Sequence, residues 1–116
     1  VNKDIPSIEQ LQFLATLNIG FYATVPHFAG ATSVFLTPAQ LIEYATNPDL
    51  YVAKTWGVSL EDYLAWRDEG FGVRCAALTS KKRRCRNYVT GGSSVEPNRW
   101  VEMQGHYCDR HEIGNP

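Results

Sequence analysis

Charge is missing from a long part of this sequence. From Gln10 to Ile42 there is no Asp, Glu, Lys or Arg across 33 consecutive residues, in a chain of 116 that is 20% charged overall. The gap is not a membrane span. Asn18, Gly20, Pro26, His27, Gly30, Thr32 and Ser33 interrupt it, and no run of about 18 apolar residues exists. Cysteine is scarce too: three residues cannot all pair within one chain. The opening Val1-Asn2-Lys3-Asp4 does not read as a signal peptide, so a reducing cytoplasm is the expected compartment. Enzyme signatures are absent: paired carboxylates, a nucleophile elbow, a phosphate-cradling glycine loop, H-x-E or H-E-x-x-H. The expectation is a protein that is not an enzyme.

What is there is a composition fit for one globular domain, with 44% hydrophobic and 12% aromatic residues. The net charge of −1 conceals a polarity. Residues 1–73 carry three basic and eight acidic side chains, whereas 74–116 carry eight basic and four acidic. Residues 1–116 read as a single domain with possible sub-lobes at 1–73 and 74–116, divided where the texture turns short, polar and cysteine-bearing.

Along the chain, Ser7-Ile8-Glu9-Gln10 is a capping box, and Ile8, Leu11, Leu14 and Leu17 then recur at helical spacing, giving a helix over about 8–18. Ile19 to Leu36 is rich in Phe, Val, Tyr and Thr and reads as a probable β-hairpin, split around Pro26 and Gly30. Thr37-Pro38, Asn47-Pro48 and Ser59 each announce a short helix, closed in turn by Gly57 and Gly70. Residues 91–99 read as a flexible loop, followed by a short helix from Pro97 that packs Trp100 over the metal lobe. The fold class is α+β: an N-terminal helix and hairpin, a middle of short helices, and a small zinc-bound C-terminal lobe.

Cys75, Cys85, Cys108 and His111 are spaced C-x9-C-x22-C-x2-H. Thiolate and imidazole are zinc ligands, and Cys3His is a common structural set whose four protein donors leave no open position for water. The alternative is three cysteines buried as small hydrophobes. His106, two residues before Cys108, is the competing imidazole, at a less usual spacing. His27 stands alone and reads as an ordinary histidine.

The segments Cys75-Ala76-Ala77-Leu78-Thr79, Cys85-Arg86-Asn87 and Gly105-His106-Tyr107-Cys108-Asp109-Arg110-His111 resemble a small Cys3His zinc-binding module of uncharacterised bacterial and phage proteins. That module runs C-x-A-x-T-x-x-G-x-x-C-x-N, then G-x-Y-C-x-x-H. The stretch from Gly57 to Trp66 also looks like what precedes it, so the likeness covers about 47–112. This chain departs from the pattern at Lys82, which stands where the module has glycine. The resemblance implies a structural zinc ion and suggests a phage or mobile-element accessory protein, without naming an activity.

Two further features point to partners. Lys81, Lys82, Arg83, Arg84 and Arg86 form a dense basic run at the expected tip of a cysteine hairpin, where a nucleic acid could be held. Phe21, Tyr22, Phe28 and Phe35 lie in the charge-free stretch and are the candidate interface for a protein partner or a homodimer. A non-catalytic interaction module is the leading expectation, nucleic-acid binding through 81–86 the second, and a metalloenzyme the third.

Overall fold

The computed structural model describes residues 4–112. It is α+β, in the expected order. Helix α1 (Ile8–Thr16) is followed by strands β1 (Phe21–His27) and β2 (Gly30–Leu36). Helices α2 (Pro38–Thr46), α3 (Pro48–Trp56) and α4 (Leu60–Asp68) then run in series, with α5 (Pro97–Glu102) and α6 (Asp109–Glu112) near the end. Among the described residues no helix is long and apolar enough to cross a membrane.

The helix starts follow from their caps. Ser7 and Gln10 exchange side-chain and backbone hydrogen bonds at 2.9 and 3.1 Å, and Thr37 and Gln40 do the same at 2.9 and 3.2 Å. Each pair satisfies amides that a helix leaves open at its first turn. Asn47 and Ser59 cap α3 and α4 through single side-chain acceptors. α1 stops at Thr16 rather than 18 because Asn18 takes a left-handed φ of 63°.

The hairpin pairs Phe21 with Leu36 through to His27 with Gly30 in unbroken antiparallel register. Pro26 does not divide it, as the sequence suggested, but sits inside β1 opposite Ala31, which a strand in a two-stranded sheet tolerates on its outer edge. Ala23, Val25 and Val34 turn inward onto the main core, with Val52 and Ala53 of α3.

That core runs from β1 through α3 and α4 to Val73, Val89, Val95, Trp100 and Met103. Two indoles are its pins. The Trp66 Nε1 donates to the Val95 carbonyl at 2.6 Å, and the Trp100 Nε1 donates to the Gly72 carbonyl at 2.8 Å. Two expectations are corrected here. Residues 91–99 are not a loose loop, since Val95 is buried and its amide bonds the Phe71 carbonyl at 2.8 Å. Trp100 packs into the main core rather than over the metal lobe. Gly72 is required by close approach: a Cβ there would lie 2.7 Å from the Tyr88 ring.

The molecule is elongated. Its radius of gyration is 19.0 Å with extents of 62 × 26 × 18 Å, against about 13 Å for a compact chain of this length. The N-terminal helix and hairpin therefore keep much of their surface uncovered.

Candidate metal centre

Cys75 and Cys85 are brought together by a small hairpin. The Cys75 amide donates to the Asn87 carbonyl and the Cys85 amide to the Ala77 carbonyl, both at 2.8 Å. Its tip closes through the Lys82 amide on the Thr79 carbonyl at 2.8 Å and the Thr79 amide on the Arg83 carbonyl at 2.6 Å. Lys82 itself has φ 62°, so the backbone makes the turn that glycine would make, at the position where the chain departs from the Cys3His pattern it resembles. The third segment docks when the Ala76 amide donates to the His106 carbonyl at 2.9 Å, placing Cys108 beside the hairpin. The His111 amide then bonds the Cys108 carbonyl at 2.9 Å, opening the single turn of α6.

Cys75, Cys85 and Cys108 are buried and His111 is half-buried. Their donor atoms all lie within 4.8 Å of one another, and this group could hold a metal ion. The His111 Nδ1 is 3.3 Å from the Cys75 Sγ and 3.2 Å from the Cys108 Sγ, while the Cys85 and Cys108 sulfurs are 4.0 Å apart. Donors on a tetrahedral ion with bonds of about 2.0–2.3 Å stand about 3.5–3.8 Å apart, so the observed spacings are close to those a bound ion would impose. His106 stays outside the group, with its side chain exposed.

Each sulfur also faces an amide two residues ahead. The Ala77 amide donates to the Cys75 Sγ at 3.4 Å, the Asn87 amide to the Cys85 Sγ, and the Arg110 amide to the Cys108 Sγ. The Asn87 side chain adds a donor to Cys108 at 3.8 Å. Amides aimed at sulfur favour thiolate over thiol, and such outer contacts orient metal ligands. Burial pushes the Cys108 thiol up, but His111, Asn87 and the Arg110 amide outweigh it and bring its pKa down to about 6. At Cys85 the Asn87 amide pulls down, yet burial and the neighbouring Cys108 and Cys75 leave the thiol raised. Without a cation three sulfurs this close cannot all ionise cheaply; a bound cation removes the conflict.

A charged strut behind the site went unread in the sequence. Glu69, just past α4, takes Arg74 at 2.8 Å and Arg84 at 3.5 Å. Arg84 also donates to the Cys75 and Arg74 carbonyls, each at 3.1 Å, and Arg74 to the Arg86 carbonyl at 3.1 Å. Arg84, one of the five candidate nucleic-acid contacts, is thus tied into the hairpin's own backbone. Lys81, Lys82, Arg83 and Arg86 are exposed, and among the described residues none has an acidic partner. The only forward signal for the strut would have been an acid at the end of α4 followed within five residues by an arginine.

The candidate interface residues divide. Phe28 packs against the main core and Phe21 is half-buried, whereas Tyr22 is 64% and Phe35 81% exposed. Tyr22 and Phe35 are cross-strand partners whose rings meet edge to face at 6.1 Å. His27 stacks on Phe28 at 4.0 Å and accepts the Ala29 amide at the hairpin turn, away from the metal ligands.

Compared with protein-family models, curated proteins and solved structures, the chain matches none. The likeness to a Cys3His module therefore stands on its motif residues and on the convergence of the four side chains.

Proposed function

We propose that this chain is a non-catalytic interaction module whose C-terminal part is held by one structural zinc ion. The carrying observation is the convergence of three buried sulfurs and one imidazole, each sulfur facing an amide two residues on. Thiolate-rich donor sets suit zinc and disfavour magnesium, calcium and manganese, which take oxygen. Four protein donors complete a tetrahedron and leave no position for a substrate, which favours a structural ion over a catalytic one. With all three thiols committed to metal, no cysteine remains as a nucleophile.

The interaction reading draws on the N-terminal part of the chain. Phe13, Leu17, Ile19, Tyr22 and Phe35 are all exposed there, in a stretch without a single formal charge. Large apolar side chains left in water favour a covering surface. Metal analysis of purified protein tests the first half: about one zinc per chain is expected, with the three thiols unreactive to alkylation until a chelator is added. Folded protein with no zinc and freely reactive cysteines refutes it.

A second reading, nucleic-acid binding, has in its favour Lys81, Lys82, Arg83 and Arg86, which are exposed and have no acidic partner among the described residues. Its mark would be an affinity that falls steeply between about 50 and 200 mM salt as counterions are released.

A further inference from the structure

We infer that the free edge of β2 is a docking site for an extended segment of another protein, which adds a third strand to the hairpin and seats an apolar side chain in the cleft between the hairpin and α3. This rests on the interaction reading above and gives that reading a place and a partner chemistry.

The register fixes which backbone groups are free. His27 and Gly30 close the hairpin around a two-residue turn, so this pair is hydrogen-bonded, as are Val25 with Thr32, Ala23 with Val34 and Phe21 with Leu36. The alternate residues of β2, Ala31, Ser33 and Phe35, therefore turn their amides and carbonyls away from β1. Among the described residues no backbone bond from another element reaches them, and all three residues are exposed. β1 is a poorer template, because Pro26 removes a donor from its outer edge. β2 has neither proline, charge nor bulge, the devices that normally keep an edge from pairing. A row of evenly spaced donors and acceptors is matched by another extended backbone.

The adjoining cleft says which side chains that backbone carries. It holds about 260 Å³ and is lined by Val25, Thr32 and Val34 of the hairpin and by Tyr51, Thr55 and Trp56 of α3, none of them charged. That is less than the roughly 300–1,000 Å³ of a site that encloses a small-molecule ligand, and it suits a side chain. Thr32 and Thr55 are exposed, so the cleft is open to solvent. A strand laid along β2 places every second side chain on the face of Thr32 and Val34, over this cleft. The partner segment is therefore apolar at alternate positions. A second copy of this chain meets only half of that demand. Its Thr32 and Val34 face its own α3, so β2 paired with β2 would satisfy the backbone and leave both clefts empty.

The test uses the zinc-loaded chain and capped heptapeptides, Lys-Thr-X-Thr-X-Thr-Lys, with X as Val, Ile, Leu, Phe or Asp, followed by NMR. An apolar peptide should bind with a Kd below about 1 mM and protect the Ala31, Ser33 and Phe35 amides from exchange, and the Asp peptide should not. Methylating the amides of one alternate set of peptide residues should abolish binding and of the other set should not, because only one set faces β2. Ser33→Pro removes an outward donor at a pair not bonded across the hairpin, and should weaken binding about tenfold with zinc content unchanged. Thr55→Glu, a charge at an exposed lining position, should do the same, and decides the point if proline unfolds the hairpin. No binding by any peptide at about 1 mM, equal loss from both methylated sets, or an affinity indifferent to Thr55→Glu overturns the inference. A free chain that dimerises with those three amides already protected overturns it in favour of a copy. A peptide that instead shifts Phe13, Leu17 and Ile19 overturns the edge site while upholding the interaction reading. Protein without zinc counts against the metal reading alone.

Discussion

Lys82 offers a sharp measurement because its side chain does little and its backbone does much. It is exposed, pairs with no acid among the described residues, and occupies the left-handed region at φ 62°, at the end of the turn that the Thr79 carbonyl closes. An L-residue held there costs roughly 1–2 kcal/mol, whereas glycine pays no steric cost. Glycine gives back about 0.5–1 kcal/mol through the greater freedom of its unfolded chain. Lys82→Gly should therefore stabilise the zinc-loaded protein by about 0.5–1 kcal/mol, raising the melting temperature by about 2–5 °C. Lys82→Ala is the control. It removes the same charge from the basic run but keeps the left-handed cost, so it should gain little. Lys82→Val, branched at Cβ, should lose stability relative to alanine. The assay is thermal unfolding at fixed excess zinc, because free metal alone would otherwise shift the midpoint. If glycine and alanine give the same midpoint, or glycine the lower one, the strain argument is refuted and the gain belongs to charge relief.

Three other outcomes follow from the geometry. Cys85→Ser or Cys108→Ser should unfold the C-terminal part by forfeiting a coupled metal-binding energy of roughly 10–16 kcal/mol, read as loss of zinc and of amide protection over 74–112. Glu69→Gln should cost about 1 kcal/mol in denaturant unfolding, since its pairs with Arg74 and Arg84 are partly exposed, and a larger loss would mean that the arginines cannot hold the hairpin without it. Among the described residues the buried Tyr63 hydroxyl makes no hydrogen bond of sound geometry, with the Arg67 guanidinium only loosely placed against it, so Tyr63→Phe should match or exceed wild type in stability. Burial raises its pKa above 10, and the unfolded chain thus loses the proton first. The advantage of phenylalanine should then widen as pH rises past about 10, and a constant gap across pH 8–11 would count against it.

Local chemistry made much of this legible in the sequence. Ser7, Thr37, Asn47 and Ser59 each carry the side-chain acceptor that starts a helix, and Gly57 and Gly70 adopt the positive φ that ends one. The four converging side chains were readable because thiols and an imidazole at short spacing have few other uses. Long-range consequences were not. The loop from Gly91 looks flexible by composition, yet the Val95 amide donates to the Phe71 carbonyl and the Val95 carbonyl accepts from the Trp66 indole, contacts made by residues 24 and 29 positions away. Arg84 looked like a free cation because nothing in a basic run reveals that one guanidinium faces two backbone carbonyls and a distant glutamate. The split of the strand aromatics into half-buried Phe21 and exposed Tyr22 and Phe35 depended on which face each occupies, which a one-residue shift would have reversed.

The metal-binding segment is tied to the main core at Val73. The strand segment that carries Cys75 begins at Val73, whose amide and carbonyl bond Gly92 and Val89 at 2.7 and 2.8 Å inside the main core. Loss of metal would loosen this edge first. The hairpin, by contrast, rests on α3, whose Val52 and Ala53 belong to the core far from the ligands in sequence. The hairpin contributes no residue to the cluster around the ligands. Chelation should therefore expose the cysteines and the Val73–Val89 edge while leaving the pairing of β1 with β2 largely in place. Hydrogen exchange with and without chelator checks this: protection should fall over 73–112 and persist over 21–36. If protection falls over both stretches together, the ion holds the whole chain, and the division between a metal-held part and an independent hairpin is wrong.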